Sequence, residues 1–127
     1  MLTIRREQML AFEEAQLAQF RIDVLAHLER YDPEATKLQG RERVARMIAD
    51  AVARAARLPL VSREDALRYV IFVYLFGPEF ESDPKYPWSQ ESFEDVELTL
   101  RQKLDIFCVY GEHILGSRFH RVMARNE

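Results

Sequence analysis

The stretch from Tyr69 to Phe76 is the most apolar run in the chain, and it constrains the fold more than any other feature. It reads YVIFVYLF and then breaks at Gly77-Pro78. A helix that is apolar on all sides is stable in water only when neighbouring elements bury it. A β-strand is the alternative, because valine, isoleucine and aromatic residues favour strands. We predict a helix, because the run continues a helical pattern from Ala66 and no second strand is evident to pair with it.

Start and stop signals divide the rest of the chain into charged, amphipathic helices. Thr3 is expected to cap a first helix that ends near Arg30, before Asp32-Pro33, and a short link through Gly40 follows. A second helix is expected over 41–57, where small and apolar residues form one stripe and arginines the remaining face. Pro59 ends it.

Ser62, followed by Glu64 and Asp65, predicts the capped start of the third helix, which holds the apolar run. A fourth helix is expected to begin at a cap on Ser89 or Ser92 and to continue to about Tyr110. Its predicted core positions are Phe93, Val96, Leu100, Leu104, Phe107 and Cys108. Gly111 and Gly116 are expected to interrupt the chain, and the alternative fifth helix lies within residues 112–123. The predicted fold is therefore all-α: a single-domain bundle of four to five helices over residues 1–127.

Composition limits the classes of function. The chain has 127 residues, of which 48% are hydrophobic, and a net charge of −3 from 18 basic and 21 acidic residues. This balance favours an ordered globular protein and disfavours a nucleic-acid partner. We expect no membrane insertion, because no apolar run approaches the ~18 residues of a membrane helix. A single cysteine and an N-terminus unlike a signal peptide favour a cytoplasmic location.

The residues give little support for chemistry. No phosphate-binding glycine loop, nucleophile elbow or paired-cysteine motif is present, so we expect no cofactor, no metal and no enzymatic activity. His27 is expected at the edge of the core with a hydrogen-bonded ring. His113 and His120 lie ~10 Å apart along a continuous helix, too far to share one metal ion. A small hydrolase that uses the loop carboxylates remains an alternative.

The loop after the apolar run is the predicted partner-binding site, because loops on a rigid support that carry aromatic and acidic side chains are good recognition elements. Trp88 either folds back on the helices, which we favour, or stands out as an anchor. The predicted site comprises Gly77, Glu79, Phe80, Glu81, Asp83, Tyr86 and Glu91. The arginine-rich face of the second helix is the alternative location.

Several positions in the chain resemble a family of small helical bacterial proteins that are encoded beside type VI secretion spike and effector genes. The resemblance lies in Glu7-Gln8-Met9, Phe12, Phe20, His27-Leu28, 62–65, 76–80, Asp83-Pro84 and Pro87-Trp88. It implies a protein that binds another protein, either a secreted effector or a spike component. The expected role is effector chaperone or adaptor, and the alternative is an immunity protein that occludes a cognate toxin.

Overall fold

All regular secondary structure in the described part of the chain is helical. The computed structural model describes residues 2–58 and 62–123, with side chains from Glu14 onward. The helices are α1 (Leu2–Tyr31), α2 (Pro33–Gln39), α3 (Arg41–Ala55), α4 (Arg63–Phe76), α5 (Pro87–Glu94), α6 (Leu100–Leu115) and α7 (Ser117–Val122). The all-α prediction is confirmed, whereas the described residues contain seven helices in place of the expected four to five.

Helix α4 lies at the centre, as its apolar composition requires. Its buried side chains include Tyr69, Val70, Ile71, Phe72, Val73 and Phe76, so the apolar run is a helix and the strand alternative is wrong. The Ser62 hydroxyl accepts a hydrogen bond from the Asp65 N–H at 3.1 Å, which confirms the predicted cap. Gly77 ends the helix with φ +108°, a left-handed conformation that favours glycine.

Two groups of helices bury α4. Helix α3 packs between α1 and α4 through the predicted stripe, in which Val44, Ile48, Ala51, Val52 and Ala55 are buried. Helix α6 packs on another side of α4, α5 and α7 pack on α6, and α7 also contacts α1. One aromatic-rich core therefore joins both groups.

The first half of the chain differs from prediction at its ends. Helix α1 begins at Leu2, one residue before the Thr3 expected to cap it. The expected link before Gly40 is the short helix α2, whose first position is occupied by Pro33, a residue suited to that position because it lacks an N–H. The predicted stop at Pro59 lies outside the described residues.

The predicted fourth helix is two helices. Helix α5 begins at Pro87, and neither Ser89 nor Ser92 caps it, since both hydroxyls donate to backbone carbonyls. A capping box between Thr99 and Gln102 starts α6. Val96 falls between the two helices and is 94% exposed, so its predicted core position is wrong.

Helix α6 continues through Gly111, where a break was expected, to Leu115. A Cβ atom at Gly111 would lie 2.6 Å from the Phe119 ring. The glycine therefore permits close packing of α7 on α6.

Candidate protein-binding groove

The loop over residues 77–86 is fastened to the core by Phe80, which is 0% exposed. Its ring centroid lies 4.8 Å from that of Phe107 and 5.5 Å from that of Tyr69. The Ser89 hydroxyl donates to the Phe80 carbonyl at 2.8 Å, so the first turn of α5 holds the loop. Phe80 is therefore a buried core residue, which corrects its predicted place on a partner-binding surface.

Glu81 has a structural role in the same loop. It accepts a hydrogen bond from the Tyr69 hydroxyl at 2.9 Å and pairs with Arg54 of α3 at 2.9 Å. Arg54 also donates to the Pro78 carbonyl. Burial and the neighbouring Glu81 carboxylate raise the pKa of Tyr69, which stays protonated as the donor. Glu81 therefore ties the loop to α3 and α4.

The other two loop carboxylates, Asp83 and Glu79, do not share the contacts that Glu81 makes with Tyr69 and Arg54. Asp83 accepts a hydrogen bond from the Lys85 N–H at 2.9 Å, a local turn contact. Glu79 is exposed. Glu81 and Asp83 thus contact different partners within the loop region.

Two predicted site residues lie at the two ends of the loop, Gly77 after α4 and Tyr86 before α5. Tyr86 is half-buried, with its ring centroid 5.4 Å from that of Phe76 and 5.7 Å from that of Trp88. Gly77, at the other end of the loop, is half-buried. These residues shape the loop and leave little side-chain surface for a partner.

A groove of about 520 Å³ lies between α5 and α6. It is lined by Trp88, Glu91, Ser92, Asp95, Leu98, Ile106, Val109 and Tyr110. The rings of Trp88 and Tyr110 stack with centroids 4.5 Å apart and an interplanar angle of 15°. Glu91 is thus the predicted site residue that lines this groove.

Trp88 packs on the core and also lines the groove. It packs on the buried Phe107 ring at a centroid distance of 4.7 Å, so it folds back on the helices as favoured. It is also half-buried and lines the groove. The core therefore fixes the orientation of the side chain that forms one wall.

Exposed apolar side chains continue the groove along α6. Val109 is 68% exposed, Ile114 46% and Tyr110 42%. Ile106, Val109, Tyr110 and Ile114 follow one another at helical spacing, so they form a single stripe on the helix surface. We call these four residues the α6 stripe. Of the six large hydrophobic side chains exposed in the described residues, three belong to the α6 stripe, which makes it the main apolar patch.

The surroundings of the groove are acidic. Residues 79–97 include seven acidic residues and one basic residue, a net charge of −6 in a chain whose total is −3. Glu91, Glu94, Asp95 and Glu97 are all exposed. Helix α5 and the link that follows it therefore present four exposed carboxylates, of which Glu91 and Asp95 line the groove.

Buried carboxylates elsewhere tie helices together. Asp32 accepts a hydrogen bond from the Tyr74 hydroxyl at 2.7 Å and pairs with Arg118 at 2.9 Å and Arg121 at 3.5 Å. Burial alone would raise the pKa of Asp32, but the hydrogen bonds from Arg118 and Tyr74 lower it below its ordinary value. This cluster joins α4 and α7 to the end of α1.

Asp65 makes a second such cluster at the start of α4. It pairs with Arg68 and with Arg101 of α6, each at 3.1 Å. Burial alone would raise the pKa of Asp65, but the hydrogen bonds from Arg101 and Arg68 lower it below its ordinary value. Arg68 also pairs with Asp105 at 2.6 Å and lies 3.6 Å from Cys108, whose thiol is half-buried. Every charged member has a partner, so the cluster has a structural role.

The three histidines lie in three different helices. His27 donates from Nε2 to the Val122 carbonyl at 2.7 Å, which confirms a hydrogen-bonded ring at the edge of the core. His113 lies in α6 and His120 in α7, beyond the break at Gly116, where His120 contacts Glu112 at 3.1 Å. Within the described residues, no three His, Cys, Asp or Glu side chains are grouped for a metal ion.

The α6 stripe was missed in the sequence, although a signal for it was present. The predicted core face of the fourth helix used Leu100, Leu104 and Phe107 and left Val109 and Tyr110 unassigned. A second apolar face on a helix indicates either burial on two sides or an exposed patch. In the structure this second face is exposed at Val109, Tyr110 and Ile114.

Comparisons of the chain with protein-family models, curated proteins and solved structures gave no match. Among the described helices, none is long and apolar enough to cross a membrane.

Proposed function

We propose that this protein is a non-catalytic accessory factor that binds a segment of another protein in the groove between α5 and α6. The observation that supports the proposal is the apolar surface formed by the stacked rings of Trp88 and Tyr110 and extended by Val109 and Ile114. Exposed apolar patches with a polar rim are typical of protein-interaction sites. Aromatic side chains are enriched among the residues that dominate binding energy.

The rigidity of the groove suits this role. Trp88 rests on Phe107, and Phe107 is buried against the α4 rings of Phe72 and Phe76. A wall that is already ordered loses little conformational entropy on binding. The groove can therefore bind a partner without rearrangement of the core.

The resemblance of the sequence supports a setting in bacterial type VI secretion, with a cytoplasmic effector chaperone or adaptor as the expected role. The partner would be a secreted effector or a spike component. Reversible holding fits a groove of this modest size, because small interfaces are generally transient.

The acidic segment over residues 79–97 favours a second candidate, an immunity protein that occludes a toxin. Acidic surfaces accelerate association with basic partners and are common in tight electrostatic complexes. The affinity of the purified complex separates the two roles. A subnanomolar complex that abolishes a toxic activity would indicate immunity, and a weaker complex that leaves the partner active would indicate a chaperone or adaptor.

Site-specific photo-crosslinking in the native host tests the proposal. A photoreactive residue would replace Val109, which is exposed in the groove, and in a control strain Ala53, which is exposed on α3. We expect one specific protein adduct at position 109 that is absent at position 53. The identified partner, once purified, should bind the parent protein and lose ~10-fold or more in affinity for Val109→Asp, because a carboxylate then enters an apolar contact.

Two outcomes would overturn the proposal. The same adducts at both positions would mean that the groove is not selective. An adduct at position 53 alone would place the partner on the arginine-rich face of α3, the alternative suggested by the sequence. Circular dichroism of Val109→Asp provides the control for folding.

A further inference from the structure

We infer that the occupant of the groove is a basic amphipathic helix, one that presents an apolar stripe to α6 and lysine or arginine side chains to the acidic rim. The inference rests on the proposed function and specifies the chemistry of the partner. Its basis is the juxtaposition of the α6 stripe with exposed carboxylates along α5 and the following link. Like charges brought close together in an interface cost free energy, so the sign of the rim selects the sign of the partner.

The shape of the apolar surface favours a helix. From Ile106 to Ile114 the α6 stripe covers nine residues, whose first and last Cα atoms lie ~12 Å apart along the helix axis. Apolar side chains at helical spacing on a partner would meet it over about two to three turns, as in other helix-in-groove complexes. Glu91 of α5 and Asp95, which follows α5, line the same groove as this stripe.

The same charges disfavour a second copy of this chain as the occupant. Pairing two grooves would bring the exposed carboxylates of Glu91 and Asp95 in one copy close to those of the other. The repulsion is strongest where water is excluded, because the effective dielectric constant falls there. A basic partner avoids this cost and neutralises the rim.

The test uses the fluorescence of Trp88, which is the only tryptophan in the chain and lies in the groove. Two tryptophan-free peptides of about 18 residues would be titrated, long enough for appreciable helix formation. One combines leucine with lysine on an amphipathic helix, and the other has glutamate in place of every lysine. We expect a saturable shift in Trp88 emission with the lysine peptide and none with the glutamate peptide.

A matched pair of variants separates site-specific attraction from general attraction between a basic peptide and an acidic protein. The groove variant combines Glu91→Lys with Asp95→Asn, in which the asparagine oxygen can still accept the hydrogen bond from the Glu97 N–H. The control combines Glu42→Lys with Asp50→Asn on the exposed face of α3 and changes the net charge equally. We expect ~10-fold weaker binding in the groove variant and less than ~2-fold in the control.

Equal weakening by both variants would overturn the inference, and so would equal binding of the two peptides. Sedimentation that shows a dimer of the parent protein, lost in Val109→Asp, would identify a second copy as the occupant and would also overturn it. The proposed function and this inference can fail independently of each other. A partner that is crosslinked at position 109 and lost in Val109→Asp, but bound normally by the Glu91→Lys, Asp95→Asn variant, would retain the protein-binding role and remove the basic helix.

Discussion

Replacing Phe80 with alanine should destabilise the protein strongly, because this loop residue is part of the core. The Phe80 side chain is fully buried, and four aromatic rings surround it at centroid distances of 4.8–5.9 Å, those of Tyr69, Phe72, Phe93 and Phe107. Truncation of a fully buried phenylalanine costs about 3–5 kcal/mol through lost burial and the cavity that remains. That cost is a large fraction of the ~5–15 kcal/mol that stabilises a typical domain.

The assay is urea unfolding of Phe80→Ala, monitored both by circular dichroism and by the fluorescence of Trp88. In thermal unfolding, the same loss of stability would lower the Tm of a chain of this length by about 15 °C. Glu79→Ala is the matched control, since Glu79 precedes Phe80 in the same loop and is exposed. We expect the control to remain within about 0.5 kcal/mol of the parent protein.

The reasoning would be refuted by a Phe80→Ala variant that unfolds within about 1 kcal/mol of the parent with an unchanged dependence on urea. Such a result would mean that Phe80 is not packed as described, and it would restore Phe80 as a candidate anchor for a partner.

Three further predictions concern other parts of the fold. Trp88→Ala should destabilise the protein by about 2 kcal/mol, less than full burial would imply, in thermal unfolding. Gly111→Ala should cost about 1–2 kcal/mol in urea unfolding despite the higher helix propensity of alanine, because its Cβ atom would overlap the buried Phe119 ring. Asp32→Asn should cost about 2 kcal/mol at pH 7, measured the same way. Because the folded pKa of Asp32 lies below its unfolded value near 3.8, its stabilisation is present above that pH and is lost as the pH falls through the folded pKa. Stability should therefore fall less steeply with acid in Asp32→Asn than in the parent.

The sequence was most informative where a local signal determines structure. The Ser62 cap and the apolar run of α4 were predicted correctly, since a hydroxyl cap and complete burial each leave a recognisable pattern. The stripe of α3 was predicted for the same reason. In each case neighbouring residues carry the information.

The predictions were wrong where contacts with residues distant in the sequence determine the role of a residue. Gly111 was expected to break a helix, but its role is to admit Phe119 from α7, and no local pattern shows that contact. Ser89 resembled a helix cap, whereas its hydroxyl is directed to the carbonyl of Phe80. Phe80 itself looked like a loop aromatic of the kind that contacts partners, because local sequence does not distinguish a loop that covers a core from one that projects.

The loop therefore supports the proposed binding site indirectly, through side chains of the core. Phe80 contacts the ring of Phe107, and Phe107 also contacts Trp88, which forms one wall of the groove. A cavity at position 80 would loosen Phe107 and, through it, the stack of Trp88 on Tyr110. Weaker partner binding by a Phe80 variant would thus reflect a disordered groove and not a lost contact. Val109 has no such structural role to confuse the result, because it is 68% exposed, so substitutions there measure the contact itself.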